Sequence, residues 1–175
     1  MDLKNFIRTV PDYPKPGILF RDITTLLYNG EALKYITNEY YQRYKNKNIN
    51  GIAAIEARGF IFGSLLAEKL GISFIPLRKK DKLPCKVISE EYDLEYGKDT
   101  LEIDCTAINE KDNIVIIDDL IATGGTAIAA GNLILRLKGK IHEYCFLINL
   151  PDLDGEKKLK NMGYKTFSLV SYSGK

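Results

Sequence analysis

The chain has 175 residues, 45% of them apolar, and its 25 basic and 23 acidic side chains leave a formal net charge of +2. That length fits one domain with a sizeable core and excludes two ordinary domains. The near balance of charge excludes a general attraction to nucleic acid or to an acidic membrane, so any cationic site has to be local.

Cys85, Cys105 and Cys145 are far apart and form no CxxC pair, which fits a reducing compartment. The N-terminal stretch "MDLKNFIRTVPDYPKPG" has no apolar core of signal-peptide length. No run approaches the roughly 18 apolar residues of a membrane span. A soluble cytoplasmic protein is expected. The single histidine, His142, has no nucleophile motif near it, which argues against a Ser-His-Asp hydrolase and leaves it without an assigned role.

Along the chain, an N-terminal arm (1–30) comes first, and "EALKYITNEYYQRYKNK" (31–47) reads as a helix. A strand (51–57), a helix closed by glycine (59–71) and a second strand (72–77) follow. A long polar excursion (78–104) holds Pro84 and Gly97 and reads as a loop or a hairpin, the kind of segment that forms lids. A third strand (113–118) leads to a helix (126–140) with Ala127, Ala130, Gly131, Ile134 and Leu137 on one face. Strands over 143–150 and 164–170 complete the pattern. Strands alternating with helices predict an α/β fold in a single domain: an open, twisted, mainly parallel sheet flanked by helices.

The stretch "NIVIIDDLIATGGTA" places Asp118 and Asp119 where a strand ends and Ala122, Thr123, Gly124, Gly125 and Thr126 where a helix begins. Ligands of open α/β sheets bind at that edge. Consecutive N–H groups in a Gly-containing turn, topped by a helix N-terminus, suit a phosphate. A Walker loop would have lysine where Gly125 stands, so a monophosphate fits better than the β,γ-phosphates of ATP. Two carboxylates beside the nest would accept hydrogen bonds from a vicinal diol. Phosphate at one end and diol at the other describe a ribose 5-phosphate. The same spacing also reads as a solvated acidic turn with threonine caps.

Three other stretches stay open on residues alone. "PGILFRD" offers Phe20 to stack on a ring beside Arg21, or Phe20 is core and Arg21 a surface charge. "EARGF" places Glu56, Ala57 and Arg58 at a helix start, as a second anion site or an ordinary helix end. "RKKDKLP" supplies Arg78, Lys79, Lys80 and Lys82, as an anion clamp or a solvated edge. Basic neighbours of Cys85 would favour its thiolate.

"IVIIDDLIATGGTA" resembles the phosphoribosyl pyrophosphate (PRPP) signature of the type I phosphoribosyltransferases. "DYPKPGILFRDITTLL", "IEARGFIFG", "PLRKKDKLP" and "YDLEYGKDTLEI", in that order, narrow the resemblance to the adenine phosphoribosyltransferase family and extend it over nearly the whole chain. The resemblance implies the type I phosphoribosyltransferase fold, with residues 1–30 as a base-binding arm and about 83–102 as a flexible catalytic loop. It implies purine salvage: adenine and PRPP give AMP and pyrophosphate, with Mg2+ carried mainly by PRPP and water and no protein metal ligands. Leu19, Phe20 and Arg21 would hold adenine. Asp118, Asp119 and Ala122 to Thr126 would hold the ribose phosphate. Glu56, Ala57, Arg58, Arg78, Lys79 and Lys82 would serve pyrophosphate, with a non-proline cis peptide at Glu56–Ala57. Glu95 would handle the proton at adenine N7 and Tyr96 would help close the loop. The resemblance also implies a homodimer sharing segment 78–82 across its interface, and no nucleic-acid or membrane partner. Where relatives often carry threonine this chain has Val87, which cannot donate a hydrogen bond and is dropped from the site. A 6-oxopurine substrate, and a PRPP-sensing regulator without catalysis, are the rival readings; the chain has no room for the DNA-binding domain such regulators carry.

Overall fold

The computed structural model describes residues 1–94 and 97–173. Seven strands form the main sheet: β3 (Gly51–Ile55), β4 (Ser73–Lys79), β5 (Val87–Asp93), β6 (Lys98–Asp104), β7 (Asn113–Ile121), β8 (Lys140–Asn149) and β9 (Thr166–Ser171). Their order is β5-β6-β4-β3-β7-β8-β9, parallel from β4 through β9 and antiparallel where β6 joins β4 and β5. A separate antiparallel ribbon, β1 (Arg8–Pro11) with β2 (Leu19–Asp22), forms the N-terminal arm. The helices are α1 (Thr24–Leu27), α2 (Gly30–Tyr44), α3 (Gly59–Leu70), α4 (Gly125–Arg136) and α5 (Gly155–Asn161).

The sheet is covered on both faces, which is why β3 is buried at every position. Ile52, Ala54, Val115 and Ile117 point to one core with Ile36, Tyr40, Phe62 and Leu66 of α2 and α3. Ala53, Ile55, Ile114 and Ile116 point to the other, with Ala130, Leu133 and Ile134 of α4. The period-two split is the alternation of a strand read directly in packing. Among the described residues, no helix is long and apolar enough to cross a membrane.

Several expected boundaries move. The strand expected over 113–118 continues to Ile121 because Leu120 and Ile121 pair with Ile148 and Asn149 of β8. Asp118 and Asp119 therefore lie inside the strand rather than after it. The strand expected over 72–77 continues to Lys79, with Arg78 and Lys79 pairing to Glu102 and Leu101. The segment over about 83–102, expected as a flexible loop or a hairpin, is for the most part a β-hairpin of β5 and β6. Ile88, Tyr92, Leu101 and Ile103 face the core and hold it in the sheet. Helix α4 ends at Arg136, and Lys138 takes a positive φ of 61° before the next strand. In the arm, Tyr13–Pro14 is a cis peptide, and Arg8 of β1 pairs with Asp22 of β2.

One buried ion pair braces the sheet end remote from the site. Arg43 donates to both oxygens of Glu143 at 2.6 Å, and the Tyr44 hydroxyl adds a bond of 2.7 Å. Burial opposes the charge on Glu143, but these donors outweigh it and hold its carboxyl below the ordinary range. A depressed folded pKa stabilises above the unfolded value, and that stability is lost as pH falls through the folded value. Glu143→Gln should cost about 2 kcal/mol at neutral pH and flatten the acid side of a Tm-against-pH curve; a variant melting in parallel with wild type from neutral pH into acid would refute this.

Candidate active site

The carboxyl ends of β3, β4 and β7 converge, and the side chains singled out above gather there. β3 leads into the Glu56–Ala57 peptide, which is cis, and then into α3. Gly59, at the start of α3, lies against β7: a Cβ there would stand 2.9 Å from the Ile117 carbonyl oxygen and 3.2 Å from the Asp118 Cα. That close approach brings Arg58 onto the aspartates. Arg58 Nε is 2.9 Å from Asp119 Oδ2, an ion pair whose carboxylate is almost fully buried. The Asp118 carboxylate accepts the Asp119 backbone N–H at 2.8 Å. Burial, then the neighbouring Asp119 charge, pushes the Asp118 carboxyl well above its usual range. Burial also raises Asp119, and Arg58 pulls it part of the way back.

β7 then turns through residues 122–124 into α4. Gly124 takes φ +87°, a left-handed conformation that favours glycine. Its N-cap is Gly124, which has no side chain to cap it, so among the described residues its leading N–H groups and the Thr123 and Thr126 hydroxyls are open to a ligand. Arg58, Asp118, Asp119 and the 122–126 turn line one cavity of about 200 Å³. An anion nest and two carboxylates thus share one space.

The arm lies over this space. Phe20 sits with its ring centroid 5.7 Å from the Arg58 guanidinium and packs edge-on against Tyr13. The Arg21 side chain is engaged elsewhere: it donates to the Thr9 hydroxyl at 2.6 Å and stacks 4.2 Å over the Tyr172 ring. Leu19 and Arg21 flank Phe20 on β2.

The basic segment divides. Glu56 accepts from Arg78 twice at 3.3 Å and from the Lys79 backbone N–H at 2.8 Å. Despite the cost of burial, those donors keep its carboxyl below the ordinary range. Glu56 is therefore engaged as a brace within its own chain. The Lys79 ammonium donates to the Tyr92 hydroxyl at 2.6 Å and to Asp99. Lys82 remains exposed. Glu95 and Tyr96 lie outside the described residues. Cys85 is exposed, and the adjoining Asp104 carboxylate raises its thiol pKa, against the thiolate expected from its basic neighbours.

Two residues of the site were missed in the sequence. Gly155, at the start of α5, donates its N–H to the Ala122 carbonyl at 3.0 Å and supports the 122–124 turn. Lys158 reaches the Thr123 carbonyl at 3.0 Å. Neither has a local signal, because both meet the turn from more than thirty residues away in the chain.

The phosphoribosyl transferase domain family matches residues 23–170. An adenine phosphoribosyltransferase of Leptospira biflexa is 54% identical over 173 residues, covering 98% of both chains. The solved adenine phosphoribosyltransferase of Thermoanaerobacter pseudethanolicus shares 45% identity and a TM-score of 0.92 over 98% of both chains. That of Saccharomyces cerevisiae, complexed with an imino-altritol bisphosphate and adenine, shares 37% identity and a TM-score of 0.89 over 96% of both chains.

Proposed function

The chain belongs to the adenine phosphoribosyltransferase family, and from that premise we propose how its residues divide the work. The reaction transfers the phosphoribosyl group of PRPP to adenine and yields AMP and pyrophosphate. The C1–oxygen bond to pyrophosphate breaks as adenine N9 bonds to C1, with inversion, and positive charge develops on the sugar. Positioning and charge stabilisation carry such a reaction.

The observation that carries this reading is the shared cavity of Asp118, Asp119 and the uncapped start of α4. The ribose hydroxyls donate to Asp118 and Asp119, and the 5-phosphate takes the N–H and hydroxyl donors of 122–126. Binding a diol at Asp119 competes with Arg58, which is then available to the departing pyrophosphate. Phe20 packs on adenine, and the main chain of Leu19 and Arg21 reads its edge. Glu95 handles the proton at N7, and Tyr96 closes over the site.

Magnesium suits this donor set as an ion carried by the substrate. The cavity presents hard oxygen donors, the carboxylates of Asp118 and Asp119 beside the Thr123 and Thr126 hydroxyls, the donor type magnesium takes together with substrate oxygens and water. When bound, the ion neutralises charge on the pyrophosphate. A cytoplasmic homodimer completes the proposal. Arg78 and Lys79 are held by carboxylates of their own chain, whereas Lys80 and Lys82 are both exposed; Lys82, the one of these two that the family resemblance assigns to pyrophosphate, is the cation offered to a partner's site.

The test supplies magnesium and PRPP with adenine, hypoxanthine, guanine or xanthine separately. AMP from adenine alone is expected. Turnover of a 6-oxopurine would overturn the base assignment, and tight PRPP binding without any turnover would favour a sensor.

A further inference from the structure

On β5, Ile88 and Tyr92 face the second core, and Glu90 lies between them on the same side. A carboxylate in an otherwise apolar inward row needs a reason. Its partners are on α4, at two positions one helical turn apart. Asn132 donates to one oxygen of Glu90 at 2.8 Å, and Arg136 to the other at 3.1 Å. Arg136 also donates to the Ser89 carbonyl at 2.6 Å. Further along, the strand touches α4 again. A Cβ on Gly125 would stand 3.0 Å from the Asp93 carbonyl oxygen and 3.9 Å from the Tyr92 ring. Between the two attachments a cavity of about 430 Å³ opens. From its other side, Lys79 holds Tyr92 and Asp99.

We infer that Glu90, Asn132 and Arg136 are positioning residues that clamp the hairpin to the helix whose first turn binds the sugar phosphate. Resting on the phosphoribosyl-transfer reading, the clamp fixes the height of the hairpin above the phosphate turn. The described strand runs to Asp93 and Leu94, next in sequence to the Glu95 proposed to handle the proton, so the clamp fixes the chain on which that residue is carried relative to the turn proposed to bind the sugar phosphate. None of the three residues lines the cavity of Asp118, Asp119 and the 122–126 turn. The Arg136–Glu90 pair is half exposed on the arginine side, so its worth to stability alone is small. A fixed geometry has far more leverage on rate, since a displacement of about 1 Å can cost a reaction ~100-fold.

The test compares Glu90→Ala, Arg136→Ala and Glu90→Gln with wild type by steady-state kinetics, PRPP calorimetry and hydrogen exchange of the free chain. Both alanine variants should lose about tenfold or more in kcat while PRPP Kd stays within about twofold. Amides of β5 and β6 should exchange faster, with those of α4, β7 and β8 unchanged. Glu90→Gln, which keeps an acceptor for Asn132, should recover most of the rate. Faster hairpin exchange with intact kcat would overturn the inference. So would a rate loss without a change in exchange, a rate loss equally large in Glu90→Gln, or exchange accelerated throughout the sheet. A wild-type chain inert towards all four purines would refute the functional reading instead, and the hairpin exchange data would then decide the clamp alone.

Discussion

Replacing Asp118 and Asp119 together with asparagine should lower kcat/KM for PRPP by a factor of about 100 to 1,000 and at the same time raise the melting temperature at neutral pH. The first effect follows from two charge-assisted acceptors lost to a vicinal diol, each worth roughly 1.5–3 kcal/mol. The second follows from linkage. Both carboxyls are raised in the folded chain, first by burial and then, for Asp118, by the Asp119 charge. A raised acid contributes stability that is complete below its unfolded pKa and lost as pH rises through the folded value. At neutral pH the pair therefore costs the fold, despite Arg58 beside Asp119. Asparagine removes that cost, so a more stable and less active variant is expected. Calorimetric titration with PRPP and a thermal melt decide the matter together. Unchanged affinity would remove the diol role, and a lowered melting temperature would show that the Arg58 pair outweighs the repulsion.

Gly155→Ala is the second large effect. Its new Cβ would stand 2.2 Å from the Ala122 carbonyl oxygen, 2.7 Å from the Gly124 nitrogen and 2.9 Å from the Thr123 carbonyl carbon. All three are backbone atoms of the phosphate turn, so no side chain can swing aside. The turn itself must move, and Gly124, already at φ +87°, has few alternatives. We expect PRPP affinity to fall about 30-fold or more, consistent with ~2 kcal/mol of lost anion contacts. Binding of free adenine, on the arm, should not change. Gly30→Ala is the control, because a Cβ there meets nothing within 4 Å and φ is not positive. Wild-type PRPP affinity in Gly155→Ala would contradict the support assigned to this glycine.

The contrast between these two sites shows what a sequence discloses. Asp118, Asp119 and the 122–126 turn are legible because strand, turn and helix are contiguous, and the chemistry needs neighbours in the chain. Gly155 and Lys158 act on that turn only after β8 has crossed the sheet, so their role has no local spacing. The same holds for Glu56, which reads as part of an anion site until Arg78 and the Lys79 amide, more than twenty residues on, are seen to occupy it. The N-terminal arm carries no strand assigned from the sequence, yet β1 and β2 pair in register from Arg8–Asp22 to Pro11–Leu19. A proline can sit at the edge of such a short ribbon without disturbing a central ladder. The helix cores were legible from their apolar stripe, and the end of α3 from its closing Gly71; the end of α4 was not, because the positive φ at Lys138 just after it has no glycine to announce it.

The arm ribbon shares no ladder with the seven-stranded sheet. On the proposed assignment, recognition of the base and handling of the sugar phosphate are then written on separate ladders, joined through contacts such as Phe20 with Arg58 and Arg21 with Tyr172. A library restricted to residues 8–22 should therefore alter base preference while the register that holds Asp118 and the 122–126 turn is kept, and a loss of PRPP affinity across that library would show the two to be inseparable.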